Sequence, residues 1–244
     1  MQRYFVKPTL KTGSQFELDS NVSKHWLQVM RGVPGDQAEF VDGQETLYLG
    51  QLNEDHSVTV VKPLANHVEL PVKVTILSGL PKQDKAEWIV QKATEMGADT
   101  ICFFGADWSV AKWQPNKLSK KVTRLQKIAQ GAAEQAHRTH IPTVRYFNTL
   151  KQAITELSSD HLLVAYEEAA KQGEQAQLVQ LLNRIKTGER LTAVFGPEGG
   201  ISPAEMQFLE QSQATVAGLG PRILRTETAP LYFLAAVSTM LELQ

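Results

Sequence analysis

Apolar positions in residues 1 to about 70 come in short runs set between turn formers: Tyr4–Val6, Gln37–Val41, Leu47–Leu52 and Ser57–Val61. Runs of this length, bounded by Gly, Pro, Asn and Asp, predict short strands, and Asp42-Gly43 between two of them predicts a hairpin. Together they predict a small β-barrel. The helix-like stretch Val22–Met30, carrying His25, Trp26, Val29 and Met30, interrupts them. Near Leu70-Pro71 the pattern changes to longer strand and helix periods, which places a domain boundary there: residues 1–70 form one domain and 71–244 another.

Beyond that boundary, Val72–Leu77 reads as a buried strand ending at Ser78-Gly79, and Asp84–Met96 as a helix ending at Gly97. Thr100–Phe104 is the next strand. A long helix is predicted from Pro115 to Arg138, with Leu118, Val122, Leu125, Ile128, Ala129, Ala132 and Ala136 on one face. Helices over Leu150–Leu157 and Gln175–Ile185 alternate with a strand over His161–Tyr166. Such alternation predicts a parallel sheet with helices on both faces, an α/β fold.

Two further apolar runs, Leu191–Phe195 and Thr215–Leu219, each stop at a glycine-containing turn that leads into a helix start. The first turn, Gly196-Pro197-Glu198-Gly199-Gly200, precedes Ser202-Pro203-Ala204-Glu205, a capping box with proline at the first helical position. The second, Gly218 to Ala229, runs into an apolar helix that begins near Pro230 and continues from Leu231 to Leu241. That helix is apolar nearly all round, so a large core or a homodimer interface must cover it. Two such turns at the carboxyl ends of neighbouring strands would form a ligand crevice. They could also be ordinary tight turns, but Glu198, Arg222, Arg225, Thr226, Glu227 and Thr228 are more polar side chains than packing requires. Neither turn fits a P-loop, since no Lys-Ser or Lys-Thr follows the glycines, and a dinucleotide fingerprint would need glycine in place of Ile223.

Composition narrows the class. With 42% hydrophobic residues in 244, the chain reads as globular, and its longest uncharged apolar stretch, Thr228–Leu241, is too short to span a bilayer. The single cysteine, Cys102, lies in an apolar run, which excludes an internal disulfide and fits a reducing cytoplasm. Scattered histidines give no metal-binding spacing, so no metal is expected. The net charge of −1 argues against a uniformly basic coat, yet no acid occurs between Asp107 and Glu134, while Lys112, Lys117, Lys120, Lys121, Arg124 and Lys127 do. That basic face is either solvated or a phosphate-contacting surface.

The pattern GPEGG-I-S-x-x-E followed by LG-x-R-ILRTETA resembles the C-terminal signature of SPOUT-class RNA methyltransferases. More narrowly it is similar to the RsmE-type enzymes, which methylate N3 of a uridine in 16S ribosomal RNA of the small subunit. The segment from Pro81 to Phe104 resembles that family's first βα unit, and His25–Arg31 with Gly35-Asp36 and Asp42-Gly43 resembles its N-terminal PUA-like domain. The resemblance implies a PUA-like β-barrel followed by a parallel sheet with a deep trefoil knot, S-adenosylmethionine bound at the knot, and a homodimer. From the matching loops it assigns cofactor contacts to Phe195, Gly196, Pro197, Glu198, Gly199, Gly200, Leu219, Gly220, Ile223, Leu224 and Thr226. The implied RNA contacts are Arg3, Lys24 and Arg31, with Lys117, Lys121 and Arg124 on the long helix. Ala133-Glu134-Gln135-Ala136-His137-Arg138 with Pro142 resembles a family segment that approaches the partner's cofactor site, which makes Arg138 a candidate for orienting substrate.

Methyl transfer to a ring nitrogen needs alignment, charge management and removal of one proton. A carboxylate could accept that proton, or a guanidinium could stabilise the anion. Glu198 and Glu227 are the candidate bases and Arg138 and Arg225 the candidate stabilisers; the alternative roles are a cap on the last helix for Glu227 and bonds to loop amides for Glu198. Two other readings remain open: a SPOUT enzyme acting elsewhere on RNA, and a non-catalytic ribosome-assembly factor.

Overall fold

The computed structural model describes residues 1–168 and 176–243; Gln175, where the fifth predicted helix was to begin, lies outside them. Contacts divide the chain into two compact units, Met1–Glu69 with Ala133–His140, and Leu70–Ala132 with Ile141–Gln244.

In the first unit, five strands form one curled sheet in the order β1 (Arg3–Phe5), β3 (Gln37–Val41), β4 (Leu47–Leu52), β5 (Val58–Pro63), β2 (Gln15–Phe16). The predicted hairpin joins β3 to β4: the Asp42 carboxylate accepts from the amides of Gln44 (2.9 Å) and Thr46 (3.0 Å) and fixes the turn. Strand β2, absent from the hydrophobic pattern, pairs only two residues with β5. The predicted Val22–Met30 helix begins earlier, as α1 (Ser20–Ser23), because the Asp19 side chain caps the amides of Asn21 and Val22. It widens to a π turn over Lys24–Val29, and Trp26 is buried among Tyr4, Phe40 and Val58.

The second unit is a six-stranded sheet in the order β11 (Thr215–Ala217), β9 (His161–Ala165), β10 (Arg190–Phe195), β6 (Lys73–Gly79), β7 (Thr100–Phe104), β8 (Thr143–Phe147), with every pairing parallel. Both faces are covered, which is why its central strands are apolar at successive positions rather than alternate ones. Ile76, Phe103 and Ala193 point into a core shared with α2 (Lys85–Glu95), α3 (Pro115–Gln135), α5 (Gln177–Arg184) and α7 (Ala229–Leu241). Leu77, Cys102 and Val194 point the other way, towards α4 (Leu150–Glu156) and α6 (Pro203–Gln211). Full burial of the larger of these side chains, such as Ile76, Leu77 and Phe103, contributes about 2 kcal/mol each.

Two further elements differ from the sequence expectation. Strand β8 was missed because Arg145 breaks its apolar run; at the sheet edge, that guanidinium lies 4.6 Å from the Phe147 ring and pairs with Glu156. Helix α3 stops at Gln135 rather than Arg138: His137 takes a left-handed conformation (φ 55°), and the Arg138 amide donates to the Ala133 carbonyl at 2.9 Å. That is the usual geometry of a helix end, here without the glycine that announces it.

Candidate active site

Because all six strands run the same way, the loops leaving β6, β7, β9, β10 and β11 emerge from one edge of the sheet. They enclose a cavity of about 690 Å³, within the range of about 300–1,000 Å³ that takes small-molecule ligands.

The loop after β10 is shaped by its glycines. A Cβ on Gly196 would come within 2.8 Å of the Gly200 backbone, and Gly200 itself has φ +81°. The turn therefore closes on itself and offers main chain to the cavity. The Ser202–Glu205 capping box is present and continues outward, with Ser202 Oγ donating to Asp107 (2.5 Å) and the Asp107 amide donating to Glu205 (3.1 Å). This locks the start of α6 to the loop after β7, where Trp108 lines the cavity. In the loop after β11, Gly220 also has positive φ, and Thr226 is buried.

The cavity is lined by Phe195 and Gly196 through Gly200 from the first loop, and by Leu219, Gly220, Ile223, Leu224, Arg225 and Thr226 from the second. The residues expected around a cofactor thus converge in space. Sequence reasoning missed Trp108, Ala165, Tyr166, Glu167 and Glu168, whose only signal was their position just past strand ends. It also gave Lys85 no role of its own.

Lys85, at the start of α2, donates to Glu198 Oε1 at 3.0 Å and pairs with Glu227 Oε2 at 3.0 Å. Glu198 also accepts from the Lys82 amide at 3.1 Å. Burial alone would raise both carboxyls; the Lys85 ammonium and nearby amides outweigh it and hold both below the ordinary range. A carboxylate with lowered pKa is a weaker proton acceptor, which weighs against Glu198 and Glu227 as bases. Glu227 is also not among the lining residues.

Other candidates lie elsewhere. Arg138 belongs to the first unit, is 3% exposed, and donates to Glu69 through Nε at 3.0 Å and Nη2 at 2.5 Å. Glu69 also accepts from the Thr139 and His140 amides (2.9 and 3.1 Å), so in this chain the Arg138 guanidinium is engaged as an anchor. Arg3 is likewise buried and bound, to Glu39 at 2.8 Å and to the His137 carbonyl, which corrects its assignment as a phosphate contact. Lys24, Arg31, Lys117 and Lys121 are exposed. Arg124 is exposed but paired with Glu87 at 2.9 Å, so the basic face of α3 does have one compensating acid, supplied from α2. Among the described residues, no cluster of His, Cys, Asp or Glu could hold a metal, and no helix is long and apolar enough to cross a membrane.

A glycine-lined cavity at the carboxyl edge of a parallel sheet defines an α/β enzyme with a small-molecule site. Residues 68–238 match the family model described as the RNA methyltransferase domain, and the chain belongs to that family. It is 42% identical over 251 residues to ribosomal RNA small subunit methyltransferase E of Bacillus subtilis (strain 168), spanning 100% of this chain and 98% of that protein. The crystal structure of a ribosomal RNA small subunit methyltransferase E from Neisseria gonorrhoeae bound to S-adenosyl methionine matches at TM-score 0.83 and 25% identity, over 98% of each chain. A hypothetical protein of known crystal structure matches at TM-score 0.88 and 37% identity, over 99% of each chain.

Proposed function

We propose that this chain methylates N3 of a uridine in the 16S ribosomal RNA of the small subunit, using S-adenosylmethionine, as a cytoplasmic homodimer. The observation that carries the reading is the convergence of the loops after β10 and β11 on one cavity, in a chain similar end to end to a small-subunit methyltransferase.

The residues fit the cofactor: closely approaching glycine backbone lines a cavity large enough for a nucleoside with an amino-acid tail. Main chain of Gly196, Gly200, Leu219, Ile223 and Leu224 would hold its two ends. When bound, S-adenosylmethionine supplies an electrophilic methyl on a sulfonium. The protein's own task is then to bring the uridine ring into line and to manage the charge released as N3 loses its proton. Arg225, exposed at the cavity, is positioned to stabilise the anion spreading onto O2 and O4. The lowered pKa values of Glu198 and Glu227 favour this electrostatic role over a side-chain base.

Exposed Lys24, Arg31, Lys117 and Lys121 are the proposed phosphate contacts, with the trefoil knot as the expected threading of the cofactor loops. The homodimer is supported by α7: Tyr232, Ala235 and Thr239 remain exposed along a helix otherwise apolar all round. A cytoplasmic location is supported by the proposed ribosomal substrate and by the buried, unpaired thiol of Cys102.

The test is incorporation of labelled methyl from S-adenosylmethionine into unmodified small ribosomal subunits, followed by nucleoside analysis. N3-methyluridine is expected. Label on ribose or on another base would reject the position, and no incorporation, with no heat of cofactor binding, would reject the enzyme.

A further inference from the structure

The loop after β6 is pressed against the loop after β10. A Cβ on Gly79 would lie 2.5 Å from the Pro197 ring, and the Lys82 amide donates to Glu198. Lys85 follows three residues later and reaches two carboxylates that are far apart in sequence, one in each cavity loop. Its side chain is 26% exposed, and those of Glu198 and Glu227 are 24% and 19% exposed. An isolated exposed ion pair stabilises little, but here one ammonium serves two carboxylates, one from each loop. The lysine in turn stays charged, its pKa raised by the Glu198 and Glu227 carboxylates that accept from it.

We infer that Lys85 is a positioning residue for the reaction proposed above: its ammonium clamps the loops after β10 and β11 together, so that their main chain forms one cofactor cradle. This rests on the methyltransferase reading and adds to it the element that fixes the spacing of the two loops. Remove the ammonium and the two carboxylates that it holds at 3.0 Å are left close together without the cation between them. Like charges so placed repel, and the loops separate. The clamp acts on the loops and not on the reacting atoms. Its loss therefore weakens cofactor binding far more than it slows a saturated enzyme.

The experiment is calorimetric titration of the full-length protein with S-adenosylhomocysteine, alongside KM and kcat. Losing a charge-assisted bridge corresponds to about a tenfold loss of affinity, and that is expected for Lys85→Met, with kcat at saturation changed little. Lys85→Arg, which keeps the charge, is expected to recover most of the loss. The triple variant Lys85→Met/Glu198→Gln/Glu227→Gln, which removes the repulsion along with the clamp, is expected to bind better than Lys85→Met alone. If Lys85→Met binds as wild type does, the inference fails. It fails equally if the triple variant is no better than the single one, since the lysine would then act on the ligand itself. Should Lys85→Met not fold, Glu198→Gln/Glu227→Gln, which keeps the lysine but removes the carboxylates it bridges, is compared with wild type instead: weakened binding supports the clamp, and wild-type binding overturns it. Wild-type protein that binds neither S-adenosylhomocysteine nor S-adenosylmethionine would instead overturn the methyltransferase reading.

Discussion

Arg138 and Glu69 form a charged pair that anchors the chain just past the end of α3. The guanidinium is buried, and Glu69 accepts from it and from two backbone amides. Removing the arginine leaves a carboxylate that is partly desolvated and without its main partner. Arg138→Ala is therefore expected to destabilise the first unit by roughly 2–3 kcal/mol, read as a lowered midpoint in denaturant, with the cofactor cavity intact. Burial raises the Glu69 carboxyl, but the Arg138 bonds and the amides outweigh it and the net shift is downward. A depressed folded-state pKa gives stability that is present above the unfolded value, near 4.5, and is lost as pH falls through the folded one. Glu69→Gln should then flatten the acid limb of the stability curve below that pH. An unchanged limb would show that the pair contributes nothing.

At the scale of elements, what could be read from the sequence followed its hydrophobic pattern. Strands β6, β7, β9 and β10 are buried on both faces and read as continuous apolar runs, and the α6 start was spelled out by its capping box. Strand β8 and the end of α3 were not legible. The first carries an arginine that lies over Phe147, and the second stops on a left-handed histidine where the pattern would expect glycine. The two loops that line the cavity were legible because glycine and charge crowd them. The bridge between Lys85, Glu198 and Glu227 was not, since it joins residues more than a hundred positions apart. On α3, the exposed Lys117 and Lys121 remain available while Arg124 is tied to Glu87; the Lys121 ammonium lies 5.4 Å from the Trp113 ring centre. Replacing both lysines by alanine should weaken RNA binding and lower the slope of log affinity against log salt by about 1–2. An unaltered slope would remove α3 from the RNA interface.

For the molecule as a whole, the change of pattern near Leu70-Pro71 marks where short strands give way to the parallel sheet, and contacts divide the chain after Glu69. Residues Ala133–His140 group with the first unit although they lie far along the chain, which a reading in sequence order had no means to show. The account depends on the loops after β10 and β11 forming a single cofactor cradle. The most direct test is a crystal structure of the protein grown with S-adenosylmethionine. Density for the cofactor between Gly196–Gly200 and Leu219–Thr226 is the expected result; cofactor bound anywhere else, or these loops closed on each other with the cavity gone, would contradict it.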